Sequence, residues 1–284
     1  MFGRPSLDHV TGRCQVDGVQ TSPESYRPPR RTQSLRREYE EFILQRIEEY
    51  KEQLSREELL NLGDEAVREL DSGPEGQLVL TEVLMLDHVD RIIQRRLRLP
   101  SFRRWREKHL KLRRAQQSPT HWGLPSDTPL PDLARQMGDD DVALIVGTRA
   151  ATAGLLLAAH DVNVLLIDQE LAGIEANETR AASEALGERF QALVISLSGW
   201  FPDVYPHLVV VDPILIASLD AAIRATWIEL LKTHTTPGGA HFLLPPAGGE
   251  DVISLDMWRR YYAGWVVKSS SRVGRPPWHL ATSP

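Results

Sequence analysis

The chain has one cysteine, Cys14, in 284 residues. A single thiol closes no disulfide within a chain and builds no cysteine metal site, and such scarcity fits a reducing compartment. No apolar run approaches the roughly 18 residues that a membrane-spanning helix needs, so none is expected. The first residues, MFGRPSLDHVTGRCQVDG, lack the apolar centre of a signal peptide, which makes the cytoplasm the expected location. None of the nine histidines falls in a His-x-x-x-His pair. There is no Gly-x-Ser-x-Gly elbow and no phosphate-binding P-loop. Serine hydrolysis and phosphoryl transfer therefore lack their residues, and no metal site is expected.

What is present reads as a globular protein. Apolar residues make up 42% and charged residues 25%, with a net charge of −6. At roughly 150 residues per domain, the length suggests about two domains. Residues 1–34, rich in Pro, Ser, Arg and Gly without periodicity, are expected to form a disordered tail. Residues 35–117 are predicted to form an all-helical domain. Its first helix carries Tyr39, Phe42, Ile43, Ile47, Tyr50 and Leu54 at helical spacing. Ser55 and Glu58 make a capping-box signature for a second helix, with Leu59, Leu60, Ala66, Val67 and Leu70 on its apolar side. A third helix runs from about Gln77 to Leu99, presenting Val79, Val83, Leu86, Ile93 and Leu97, and Pro100 stops it. Ser101 can cap a fourth, through about Gln117. Residues 118–138, with the proline-rich SPTHWGLPSDTPLPD, are expected to be a linker.

From residue 139 the pattern changes. VALIVG, VNVLLID, QALVISL, HLVVVDP and AHFLLPP are short runs that are apolar on both faces, as buried parallel strands are. Helical stretches separate them. This alternation predicts an open, doubly wound α/β sheet over residues 139–284. GWVVKSSSRVGRPPWHLATSP is positioned to add an antiparallel edge hairpin.

In such a sheet, ligands bind beyond the carboxyl ends of the strands, where the strand order reverses. The loops after Gly147, Asp168, Leu197 and Asp212 are the places to look. Gly147 ends the first strand, where a glycine permits a tight turn and brings backbone N–H groups to a ligand. Asp168 ends the second, at the spacing of an acid that holds ribose hydroxyls. A dinucleotide fingerprint fails, because Arg149 and Thr152 occupy its other two glycine positions. That leaves a dinucleotide-dependent oxidoreductase as the weakest of three readings.

The segment RATWIELLKTHTTPGGAHFLLP adds a long helix, a Pro-Gly-Gly turn (Pro237, Gly238, Gly239) and an apolar strand. With VALIVG…VNVLLIDQE and PHLVVVDPILIASLD, it resembles the class I S-adenosylmethionine-dependent methyltransferases over about half the chain. The resemblance implies a Rossmann-like methyltransferase sheet, S-adenosylmethionine as cofactor and an unknown methyl acceptor. It implies a cofactor site of Gly147, Thr148, Arg149, Asp168, Gln169 and Ser198, with Asp212 as candidate general base. Asp212 is equally placed to cap the following helix. The glycine loop departs from the family pattern, with Ile145 in place of its acid and Arg149 and Ala151 in place of its glycines. A narrowed cofactor site is therefore expected, with Asp168 free to hold the ribose. A non-catalytic descendant of the same fold, serving binding or assembly, is the alternative.

The segment Arg91–Arg114 holds eleven Lys or Arg and one acid, Glu107, with Phe102 and Trp105 interleaved. That composition suits phosphates and bases. Residues 35–90 hold sixteen acids against six bases. Mutual neutralisation, docking on the acidic α/β domain, a protein partner or self-association is expected ahead of nucleic-acid binding.

Overall fold

The computed structural model describes residues 20–25, 34–72, 82–197, 199–244, 254–270 and 278–284. The chain divides into two compact units, Arg31–Arg114 and Met1–Arg30 with Ala115–Pro284.

The helical unit contains α1 (Leu35–Glu52), α2 (Arg56–Ser72), α3 (Glu82–Arg96) and α4 (Phe102–Gln116), the last ending in the second unit. Ser34 caps α1, accepting from the Arg37 N–H. The Ser55–Glu58 box forms reciprocally. The Ser55 N–H donates to Glu58 Oε2 at 2.7 Å, and the Glu58 N–H to Ser55 Oγ at 3.3 Å. Each side chain thereby satisfies an orphan donor of the first turn. Ile43, Ile47, Leu62, Ala66, Ile92 and Ile93 form the core. This corrects the expected face of α2. Leu62, Ala66 and Leu70 are buried at i, i+4, i+8, whereas Leu59 and Leu60 are exposed. On α3, Val83 and Leu86 are likewise exposed, and Ile92 joins Ile93 inside. Periodicity alone admits several stripes on a leucine-rich helix, and the narrower i, i+4 one packs here. The start of α3 expected near Gln77, and Val79, lie outside the described residues.

The second unit is built on a seven-stranded sheet in the order β4-β3-β2-β6-β7-β9-β8. The strands are β2 (Val142–Val146), β3 (Asn163–Asp168), β4 (Phe190–Val194), β6 (Leu208–Val211), β7 (Ala240–Leu243), β8 (Val266–Ser270) and β9 (Trp278–Thr282). Neighbours from β4 to β7 are parallel. β9 enters antiparallel to both β7 and β8. The expected terminal hairpin therefore does not merely add an edge, because β9 sits inside the sheet. The arrangement is a doubly wound, Rossmann-like sheet with two antiparallel strands at one end. β2, β3, β6 and β7 are buried along their whole length. β4 departs from that pattern. It is an edge strand, and Leu193 and Val194 are exposed.

Helices α6 (Ala151–Ala159), α7 (Leu171–Ser183), α8 (Pro213–Ser218), α9 (Ala221–His234) and α10 (Leu255–Tyr261) complete the unit with α5 (Leu130–Gln136). α6 is apolar all round and buried on nearly every residue, so a second layer must cover it. That layer is the expected linker. Trp122, Leu124, Leu130 and Ala134 lie in one core cluster with α6. The Trp122 indole N–H donates to the Gln116 carbonyl at 2.6 Å. Pro119, Pro129 and Pro131 stand at the starts of short helical turns and do not keep the segment extended. The tail expected to be disordered likewise contributes a strand, β1 (Gln20–Ser25), parallel to β5 (Trp200–Asp203). Main-chain pairing requires no apolar periodicity, so its sequence carries no signal.

Ala185 ends α7 with φ of 55°. The Ala185 N–H bonds Ala182 O at 3.0 Å and the Leu186 N–H bonds Ala181 O at 2.8 Å. This is the paired closure that normally has glycine in the left-handed position. Alanine there is strained by about 1–2 kcal/mol, partly offset by glycine's greater unfolded-state entropy. Ala185→Gly is therefore expected to raise stability by about 0.5–1 kcal/mol in urea unfolding. A loss of stability would contradict the left-handed closure.

Candidate functional site

From β2 the chain winds to β3 and β4 on one side, and β6 and β7 lie on the other. The order therefore reverses between β2 and β6, where their carboxyl ends leave a crevice. Gly147 ends β2 and Asp212 follows β6 at that point.

The two residues touch. Gly147 has φ of 101° and ψ of 133°, a region closed to other residues. A Cβ on it would stand 2.6 Å from Asp212 Cβ and 3.1 Å from Asp212 Oδ2. Asp212 is buried and caps α8, its Oδ1 accepting the Ile214 N–H at 2.9 Å. Burial pushes its carboxyl above the usual carboxylate range. The bond from Ile214 and the charge of Arg149 work against that rise.

Asp168 is also buried, and its carboxylate is engaged on both oxygens. Oδ2 accepts the Thr148 N–H at 2.6 Å. Oδ1 accepts the Gln169 N–H at 2.6 Å and the Glu170 N–H at 3.1 Å. The acid expected to be free for a ribose instead ties the loop after β2 to the loop after β3. The cause is reach. A short aspartate side chain at a parallel strand end meets the amides of its own turn and of the adjacent loop. Three of about four acceptor positions are filled, which leaves one on Oδ2.

The loop is narrowed, though not by the residues expected. Thr148, Arg149 and Ala150 form a single 3₁₀ turn leading into α6. Arg149 turns outward and is exposed, while Ala151 is buried in the core. Closure comes from Asp212 on Gly147 and from Thr148 on Gly173 in the first turn of α7. A Cβ on Gly173 would lie 2.9 Å from Thr148 Cγ2. Gly173 was not among the expected site residues. A glycine inside a helical stretch was its available signal, since that often marks a close approach. Gln169 is exposed beside Asp168. Ser198 lies outside the described residues. Gly147, Thr148, Asp168 and Asp212 are thus brought together, with Arg149 and Gln169 at the rim.

The Pro-Gly-Gly turn sits elsewhere, ahead of β7. Gly238 takes φ of 77°, and Gly239 packs so tightly that a Cβ would stand 2.6 Å from Thr235 Cγ2 and 2.8 Å from Thr236 O. Its role is to return the chain from α9 into the sheet. Among the described residues, no cluster of His, Cys, Asp or Glu is arranged to hold a metal ion, and no helix is long and apolar enough to cross a membrane.

No family model and no curated protein matches the chain. Similar solved structures include the glycopeptide N-methyltransferase MtfA, at 16% identity and TM-score 0.45 over 59% of this chain and 100% of that one. The N-methyltransferase NodS from Bradyrhizobium japonicum aligns at 16% identity and TM-score 0.43, over 63% of this chain and 96% of that one. For a candidate O-methyltransferase from Nostoc punctiforme the values are 13% identity and TM-score 0.43, over 55% of this chain. The chain spans little more than half of that protein, 56%. MtfA has been crystallised with S-adenosylmethionine, with S-adenosylhomocysteine and with sinefungin. Those activities and ligands belong to those proteins.

Proposed function

We propose that the second unit is a methyltransferase-like module that binds S-adenosylmethionine weakly in the crevice between β2 and β6. The observation that carries this reading is the meeting of Gly147, Asp168 and Asp212 at the reversal of strand order, in the sheet type the resemblance implies. The residues fit the cofactor best at its ribose end. Asp168 Oδ2 retains one acceptor position for a ribose hydroxyl, and Gln169 stands exposed beside it. Thr148 shapes the wall against α7. At the other end Asp212 occupies the space over Gly147 and serves as a helix cap, so we assign it no proton transfer. When bound, S-adenosylmethionine supplies an activated methyl group. What this chain adds is placement and exclusion of water at the crevice.

Calorimetric titration tests the reading. S-adenosylmethionine and S-adenosylhomocysteine are expected to bind with dissociation constants above about 0.1 mM, weaker than about 5.5 kcal/mol. Arg149 places a positive charge near a site for a sulfonium cation, and through water such a repulsion is on the order of 1 kcal/mol. Arg149→Gly is therefore expected to tighten S-adenosylmethionine binding about fivefold. Loss of binding in a folded Arg149→Gly protein would instead make Arg149 a contact for an anionic ligand. Failure of both compounds to bind the wild-type protein at millimolar concentration would favour the non-catalytic reading, in which Asp168 stays bound to the Thr148 N–H and Asp212 to the Ile214 N–H.

A further inference from the structure

The charge balance expected for the helical unit holds on α3 and fails on α4. Arg95 and Arg96 pair with Glu69 and Glu65 of α2, and Arg91 with Asp87. On α4, Arg103 pairs with Glu107 at 3.3 Å. Among the described residues, no carboxylate lies within ion-pair distance of Arg98, Arg104, Lys108 or Lys111. These four line one groove, of about 610 Å³, together with Leu99, Pro100, Ser101 and one acid, Glu107, whose charge is met by Arg103. Arg104, Lys108 and Lys111 stand at i, i+4 and i+7, on one face of α4, rising about 6 and then about 4.5 Å along its axis.

We propose that this groove holds the phosphate backbone of a single-stranded nucleic acid. A row of unpaired cations along a groove complements a chain that carries one charge per nucleotide. The exposed apolar side chains of α4, Leu110 and Leu112, stand two residues apart on different sides of it and make no continuous apolar face for a membrane. Trp105 stacks on His109 at 4.6 Å and packs against Tyr39 and Phe42, and Phe102 lies 5.4 Å from Tyr39. Those rings are equally engaged against base stacking, so recognition goes to phosphates and carries no sequence preference. None of this depends on what the second unit binds.

Fluorescence anisotropy of the full chain with a labelled, mixed-sequence RNA of about 20 nucleotides tests the proposal. Four phosphate contacts on a single strand give a slope of log K against log salt of about −3, or about 50-fold weaker binding at 200 mM than at 50 mM salt. Replacing all four cations, as R98G/R104Q/K108Q/K111Q, is expected to flatten the slope to near zero with unchanged circular dichroism. R95Q/R96Q, which removes cations already paired, is expected to leave it unchanged. No binding at about 50 mM salt overturns the proposal. So does a slope that survives the quadruple variant, or one reduced equally by R95Q/R96Q. Tighter binding to anionic phospholipid vesicles or to polyglutamate than to the RNA also overturns it, and assigns the groove to a membrane or an acidic protein.

Discussion

Gly147→Ala is expected to destabilise the second unit by about 4 kcal/mol, the largest single effect at the site. Two independent causes add. The backbone at φ of 101° is one that a residue with a Cβ adopts only at a cost of about 1–3 kcal/mol. The new methyl would also stand 2.6 Å from Asp212 Cβ, a backbone-anchored atom that no rotamer change moves away. Overpacking of this kind adds about 1–3 kcal/mol. Urea unfolding followed by tryptophan fluorescence measures the sum. A loss below about 1 kcal/mol would mean that the strand end opens to admit a side chain, and with it a ligand. The expected large loss places Gly147 in the structural closure of the crevice, because its missing Cβ makes room for Asp212.

This distinction explains which parts of the site were legible in the sequence. The strands announced themselves as apolar runs because β2, β3, β6 and β7 are covered on both faces. Gly147, Asp168 and Asp212 were then found by position, since each follows the end of a strand. What could not be read was the direction of each carboxylate. A strand-end aspartate has the same letter whether it faces a ligand, as expected for Asp168, or its neighbours' amides, as the structure places it. Narrowing was expected from Arg149 and Ala151 because they replace glycines in the family pattern. The 3₁₀ turn rotates Arg149 to the rim and Ala151 into the core, leaving Thr148 and Asp212 to close the loop. In the helical unit, the net charges of −10 on residues 35–90 and +10 on residues 91–114 suggested that the two segments largely neutralise one another. Totals do not say which helix meets which, and the acids reach α3 while most of α4 is left out. Trp122 was hidden for a simpler reason. Proline-rich composition marks chain that is not a long helix or strand, and says nothing about whether it packs.

Asp168→Ala is expected to lower stability by about 3 kcal/mol before any ligand is considered. Three backbone N–H groups, of Thr148, Gln169 and Glu170, lose their acceptor at once, in a position where the side chain is buried. An unsatisfied buried donor costs about 1–3 kcal/mol, and partial access of water to the loop keeps the total near the low end. Asp168→Asn should cost about half as much. It keeps one carbonyl oxygen but turns an NH₂ toward amides that also donate. A purely ligand-directed acid behaves differently. Its removal would leave the protein without ligand as stable as before, and only the stabilisation conferred by added S-adenosylmethionine would disappear, following the logarithm of ligand over dissociation constant. Unfolding curves of both proteins with and without millimolar S-adenosylmethionine separate the two roles. If the variant without ligand unfolds at the wild-type midpoint, the bonds to the loop amides contribute nothing and the dual role fails. If both the midpoint without ligand and the ligand-induced shift fall, Asp168 ties the two loops together and offers its remaining Oδ2 position to the ribose.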